Sequence, residues 1–223
     1  MTSPDEHRKV QSSEAIGDPA SAMWDHHHTV NASAWPSNEV VRLVMKYYPD
    51  GGNGRHAVDV GCGTGANAWM LSEHGFKVNA FDISEVAIKT AYEQIALKRD
   101  VDVFFQVADI RSLAPEDADS DLVLDATTLC CLTTEEERAR VVDMIYSMLV
   151  SGGRFFSIMP SVFSARDPFV RAVEGMDMPC TFWTKKDIER IYGRRFKIEN
   201  IGESIYDARC GRAHLLIADM VKE

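Results

Sequence analysis

The run Val58-Asp59-Val60-Gly61-Cys62-Gly63-Thr64-Gly65 constrains this chain more than any other stretch: an apolar strand breaks into a turn with glycine at every second position. A Cβ there would block close backbone approach to a ligand or forbid positive φ, so the turn reads as a cradle passing under a bound group. The next apolar strand ends in Asp82, and a third, Val103-Phe104-Phe105-Gln106-Val107-Ala108, ends in Asp109.

Two ligand classes fit such a turn. Gly61-x-Gly63-x-x-Ala66, with Asp82 about 20 residues further on, matches the dinucleotide fingerprint. Asp59 argues against a dinucleotide, because a carboxylate beside a pyrophosphate repels it, whereas one near an ammonium or sulfonium is favourable. Gly65 and Asp109 add to that case, since an acid at the third strand end can accept from an exocyclic amine such as adenine N6. With Phe81-Asp82-Ile83-Ser84, Ala108-Asp109-Ile110 and Leu149-Val150-Ser151-Gly152-Gly153-Arg154-Phe155-Phe156, the chain over residues 56–160 resembles the class I S-adenosylmethionine-dependent methyltransferases of small-molecule type. The resemblance implies a doubly wound α/β fold with a seven-stranded, mostly parallel sheet ending in an antiparallel hairpin, and S-adenosyl-L-methionine as cofactor. It implies that Gly61, Gly63 and Gly65 underlie the methionine moiety, that Asp82 holds the ribose and that Asp109 reads the adenine, with Asp59, Cys62, Ile83, Ile110 and Asp125 also among the cofactor-binding residues.

Composition agrees with one enzyme domain. At 223 residues, 45% of them hydrophobic, the chain can bury a large core. A net charge of −10 argues against a phosphate-backbone partner, which needs clustered Lys and Arg. Five cysteines without CxxC spacing fit reduced thiols and a cytoplasmic location, and no zinc signature is present. No stretch approaches the roughly 20 apolar residues of a spanning helix. The expected partner is a small molecule, not nucleic acid or membrane, and a homodimer is left open.

Residues 1–22, rich in Ser, Pro, Asp, Glu and Ala without periodicity, read as a mobile arm, and residues 23–223 as a single domain. Within it, residues 23–50 form an N-terminal cap, with a helix after Pro36-Ser37 presenting Val40, Val41, Val44, Tyr47 and Tyr48. Strands are expected at about 56–60, 78–81, 103–108, 122–124, 154–159, 196–205 and 213–221. Ser84 and the pairs Thr134/Glu137 and Thr184/Asp187 mark helix starts, and Gly152-Gly153 is expected to end the helix begun at Thr134. The short turn between the last two strands, residues 206–212, cannot hold a parallel crossover, so they must be antiparallel.

Methyl transfer from a sulfonium is an in-line displacement, favoured by holding donor and acceptor at contact distance. A base matters only for a hydroxyl or protonated amine. Open α/β sheets bind ligands beyond the carboxyl ends of their strands, which selects three segments. In the loop Asp125-Ala126-Thr127-Thr128-Leu129-Cys130-Cys131, Asp125 can serve the substrate or the cofactor ammonium, or simply end a strand. Cys131 stands where many small-molecule relatives carry a His, and Cys130 and Cys131 read as packing residues. In Trp24-Asp25-His26-His27-His28, one histidine is the leading base or substrate ligand, against a solvated helix start. Three adjacent side chains cannot all face one ion, so no metal is expected. Trp24 and Trp35 offer aromatic walls, against core packing. Residues 160–183 are expected to form the substrate loop, with Phe163, Phe182 and Trp183 lining an apolar pocket and Arg166 binding an acidic group. The alternatives are a methyltransferase acting on a protein side chain or RNA, for which neither a basic stripe nor an Asn-Pro-Pro-Tyr loop is present, a catalytically inactive cofactor-binding partner subunit, and an oxidoreductase.

Overall fold

The computed structural model describes residues 19–30, 32–96, 98, 100–113, 119–163, 180–208 and 211–223. Strands β1 (His56–Val60), β2 (Lys77–Asp82), β3 (Val103–Val107), β4 (Ser120–Ala126), β5 (Leu149–Pro160), β6 (Lys197–Ala208) and β7 (Gly211–Val221) form one sheet in the order β3-β2-β1-β4-β5-β7-β6. The first five are parallel, and β7 runs antiparallel to both β5 and β6. The expected fold class and final hairpin are therefore present.

The inner strands read as near-continuous apolar runs because both faces are covered. Val58, Val60, Val123 and Phe155 pack on one face against helices α5 (Glu135–Met148) and α6 (Lys185–Tyr192), through Val141, Ile145, Met148, Ile188 and Tyr192. Ala57, Ala80, Leu122, Leu124 and Phe156 pack on the other against α2 (Asn38–Tyr47), α3 (Ala66–Glu73) and α4 (Glu85–Ile95), through Val40, Leu43, Leu71, Ile88 and Ala91. Leu43 takes the buried place expected of Val41, which is half-buried.

The helix starts follow side-chain chemistry. Ser84 Oγ accepts from Ala87 N, and both Thr134 and Thr184 make reciprocal capping boxes with Glu137 and Asp187. Two expectations need correction. Gly152-Gly153 does not end α5: the helix stops at Met148 and β5 begins at Leu149, with Gly152 at φ 79 inside the strand. The segment 1–22 is not an arm throughout, since α1 (Pro19–Val30) begins inside it; residues 1–18 lie outside the described residues.

Helix α1 is tied across the sheet end by polar groups. Asp25 Oδ1 accepts from Ser84 Oγ at 2.6 Å and from Val86 N at 3.2 Å, and Ser21 Oγ donates to the Ile83 carbonyl at 3.2 Å. Asp25 thereby serves the start of α4 from another element, a favourable place for a carboxylate. Asp25→Ala should loosen α1 by about 1–2 kcal/mol, the usual cost of a lost cap. Hydrogen exchange should quicken across residues 19–30 while the amides of β1 and β4 keep their protection.

Candidate active site

The sheet order reverses between β1 and β4, so their following loops diverge and leave a crevice. Backbone register sets Val60 beside Phe81 on one side and Asp125 on the other, bringing three strand ends to one level. There the β1 turn runs Gly61, Gly63 and Gly65 at φ 65, 52 and 83, all in the left-handed region. A Cβ on Gly61 would collide with the Thr128 side chain, and one on Gly65 would lie 2.7 Å from Phe105 and 2.9 Å from Ala91. Gly63 differs: its added Cβ would sit 3.2 Å from His28 Cε1, within the cavity that both residues line.

The cavity holds about 990 Å3. Gly61, Cys62, Gly63, Asp82, Ile83, Asp109 and Ile110 line one part of it, as the sequence suggests for a cofactor. Trp24, His27, His28 and Trp35 contribute the α1 side. Trp24 stacks on His28 with ring centroids 5.9 Å apart, and Trp35 is 79% exposed at the rim. His26 points to solvent, as the helical turn of about 100° per residue requires when His27 and His28 face inward.

Burial sets the electrostatics. It raises the Asp82 carboxyl, against the amides of Ser84 and Gly63 and the charge of His28; each amide donates at 2.9 Å. Each carboxylate oxygen keeps a lone pair for a further donor. Asp109 is more fully engaged. Arg111 reaches it through N at 2.8 Å, Nε at 2.8 and 3.0 Å and a terminal guanidinium nitrogen at 2.6 Å. For Asp109 to accept from an adenine amine, the Arg111 side chain must yield, a competitor that the strand pattern gives no sign of. Burial and the neighbouring imidazoles lower His27, and burial lowers His28 although Asp82 and Asp25 oppose it, so both favour the neutral form. His28 Nδ1 is buried without a hydrogen-bond partner.

Asp59, Gly65 and Asp125 support the site from beneath and do not line the cavity. Asp59 is 1% exposed; its carboxylate makes no full hydrogen bond, and the nearby Ala68 amide offsets its burial only in part. Burial, then Asp82 and Asp125, push it up to about 7. Asp125 is fully buried, and burial raises it to about 6; it accepts from Thr128 N at 2.8 Å, Leu129 N at 3.1 Å and Ser157 Oγ at 2.5 Å. These bonds make it a positioning group for the β4 loop, not a base in contact with substrate.

The expected substrate loop contributes least. Trp183 is 1% exposed in the core, stacked on Tyr192 at 5.5 Å, because its amide and carbonyl pair with Pro160 and Val162 and draw it under β5. Phe182 is half-buried and Phe163 packs by His214; neither lines the cavity, and Arg166 lies outside the described residues. Instead Glu39, Arg42, Thr127, Thr128, Cys131, Ile158, Ser204 and Leu215 line the remaining wall. Burial alone would raise Glu39, but hydrogen bonds from Ser204 Oγ at 2.7 Å, its own amide and Ser37 Oγ at 2.9 Å, with the Arg42 charge, hold it below the usual range. Among the described residues, no group of three or more His, Cys, Asp or Glu could hold a metal ion.

A family profile described as a methyltransferase domain matches residues 57–153, the span from β1 to the start of β5. Over those residues the chain matches the methyltransferase-domain family. The ubiquinone biosynthesis O-methyltransferase of Coxiella burnetii strain RSA 493 is 29% identical over 113 residues, which are 50% of this chain and 47% of that protein. The chain thus matches about half the length of such curated relatives. Among solved structures, the N-methyltransferase NodS of Bradyrhizobium japonicum in complex with S-adenosyl-L-homocysteine superposes with TM-score 0.64 at 17% identity, covering 93% of this chain and 89% of NodS. Magnesium protoporphyrin IX methyltransferase of Synechocystis superposes with TM-score 0.64 at 21% identity, covering 88% and 84%. At these identities the methyltransferase structures share the fold. Among the described residues no helix is long and apolar enough to cross a membrane.

The lone carboxyl under the turn has a measurable signature. Below about pH 4 Asp59 is protonated in both folded and unfolded chains and is neutral to stability. Between about pH 4 and 7 the unfolded chain ionises first, so stability falls by about 1.4 kcal/mol per pH unit, to a full penalty of about 4 kcal/mol above pH 7. In urea titrations Asp59→Asn should gain on the wild type at that slope from pH 5 to about 7 and hold a constant lead above it; parallel pH profiles throughout would contradict the assignment.

Proposed function

We propose that this protein transfers the methyl group of S-adenosyl-L-methionine to an oxygen or nitrogen of a small-molecule acceptor. The observation that carries the reading is the Gly61–Gly63 turn facing one cavity together with Asp82 and Asp109. The fit of the cofactor rests on the cavity-facing backbone of Gly61 and Gly63, the spare lone pairs of Asp82 and the surrounding buried acids, which favour a cationic ligand. Gly61, Cys62 and Gly63 would underlie the methionine part, Asp82 and Ile83 the ribose, and Asp109 and Ile110 the adenine. When bound, the cofactor supplies an electrophilic methyl on sulfur.

The chain's own residues do the rest. The wall of Thr127, Ile158, Leu215, Glu39 and Arg42 orients the acceptor, combining apolar surface with one charge of each sign. His28, neutral and with a free Nδ1, takes the proton of a hydroxyl or protonated amine. Trp24 and the rim residue Trp35 exclude water on the α1 side. The cavity volume, about 990 Å3, suits a small acceptor beside the cofactor. The cytoplasmic location and the absence of a nucleic-acid partner belong to this same reading, supported by the net charge of −10.

Isothermal titration should show S-adenosyl-L-homocysteine binding and no NAD binding; the reverse would overturn the reading. Asp82→Ala should weaken binding at least about tenfold, through loss of charge-assisted hydrogen bonds worth about 1.5–3 kcal/mol. Incubation with methyl-labelled cofactor and a cell extract, followed by mass spectrometry, should place the label in small molecules. Label confined to macromolecules would move the acceptor to another class.

A further inference from the structure

Three of the cysteines stand together at one edge of the cavity. Cys130 and Cys131 form, with Leu129, a single 3-10 turn after β4, and the Cys130 and Cys131 sulfurs lie 3.8 Å apart. Thr181 N donates to the Cys130 carbonyl at 2.7 Å, which anchors the chain of residues 180–183 against that turn. That backbone bond sets Cys180, the residue before Thr181, beside Cys130, and the two thiols act on each other. Cys180 is exposed, Cys130 is buried, and Cys131 faces the cavity.

The same turn holds an unusual backbone. Thr127 lies at φ 71, a region that a β-branched residue adopts only when its surroundings impose it. Its amide donates to the Ile158 carbonyl at 2.8 Å. Its carbonyl accepts from Cys130 Sγ at 3.0 Å and from Cys131 Sγ at 3.4 Å. The Cys130 thiol is therefore both a clamp on Thr127, which lines the cavity, and the neighbour of an exposed thiol.

We propose that Cys130 and Cys180 form an oxidation site, a disulfide-forming pair whose closure releases the Thr127 clamp and so couples the wall of the cavity to the thiol redox state. The oxidant is a hydroperoxide. The Cys180 sulfur attacks the peroxide oxygen, the O–O bond breaks, and an alcohol (water, for hydrogen peroxide) leaves as the cysteine becomes a sulfenic acid. Cys130 sulfur then attacks Cys180 sulfur, the S–O bond breaks, and water leaves. In sum, two thiols are oxidised by two electrons and one peroxide is reduced. Exposure makes Cys180 the first to react, and its contact with Cys130 holds its thiol below the ordinary value. Once Sγ of Cys130 is bonded to Cys180 it carries no hydrogen, and the bond to the Thr127 carbonyl is lost. The consequence for a bound methyl donor rests on the function proposed above; the crosslink does not.

The test uses the wild-type chain, treated with hydrogen peroxide or kept reduced. Peptide mapping without reductant should find Cys130 joined to Cys180, and dithiothreitol should reverse it. Hydrogen exchange of the Thr128 and Leu129 amides should quicken about tenfold in the oxidised form. In Cys180→Ser, peroxide should produce neither the crosslink nor the faster exchange, while binding of S-adenosyl-L-homocysteine stays as in the reduced wild type. Oxidation of Cys180 alone, or a Cys130–Cys131 link, would overturn the pairing. A Cys130–Cys180 link with unchanged exchange would overturn its coupling to the Thr127 turn. Absence of S-adenosyl-L-homocysteine binding in both redox states would count against the proposed function and leave the crosslink result standing.

Discussion

The contact on which the site depends is the interlock of two loops at the sheet's switch point. Thr128 packs directly on Gly61, in space that any Cβ would fill, and its Oγ1 donates to the Val60 carbonyl at 2.9 Å. Asp125 fixes Thr128 from the other side by accepting from its amide, and Ser157 holds Asp125 in turn. The chain from β1 through the β4 loop to β5 is thus a continuous set of hydrogen bonds without exposed members at its centre. The cavity floor inherits its shape from that set, and the glycine at position 61 is required by packing as much as by φ.

Below the same floor, Asp59 is acted on by two further acids, Asp125 beside it and Asp82 at the cavity wall. Burial is the larger cause, yet Asp82 and Asp125 each add to the upward push on Asp59. Such a cluster carries a free-energy cost in the unliganded protein, which a positive group above the turn would relieve. The helix side brings only neutral imidazoles, since His27 and His28 are both lowered. The Arg111 guanidinium, also at the cavity wall, is committed to Asp109.

Much of the architecture was legible because it rests on local rules. Glycine spacing, the acids at strand ends and the cap residues Ser84, Thr134 and Thr184 each act within a few residues, and all appear where the pattern puts them. Loop-borne walls were not legible. Trp183 has the composition of a pocket residue, but two backbone bonds to the end of β5 commit it to the core. Glu39 and Ser204 meet across 165 positions, a pairing no window of sequence contains. The Arg111 grip on Asp109 spans two residues, yet the apolar pattern that marks the strand says nothing about the side chain after it. The left-handed Thr127 carries no signal either, because its cause is a set of partners contributed by β5 and the cysteine turn.

Asp25 binds two things at once: the start of α4 and the helix that roofs the cavity. Swinging α1 aside leaves Ser84 Oγ without its acceptor and Val86 N with one partner fewer, one residue beyond the loop that carries Asp82 and Ile83. The seat of α1 and the first turn of α4 therefore share one carboxylate, and whatever loosens one loosens the other. The order of the loop that carries Asp82 and Ile83 and the anchorage of α1 are two readings of one joint.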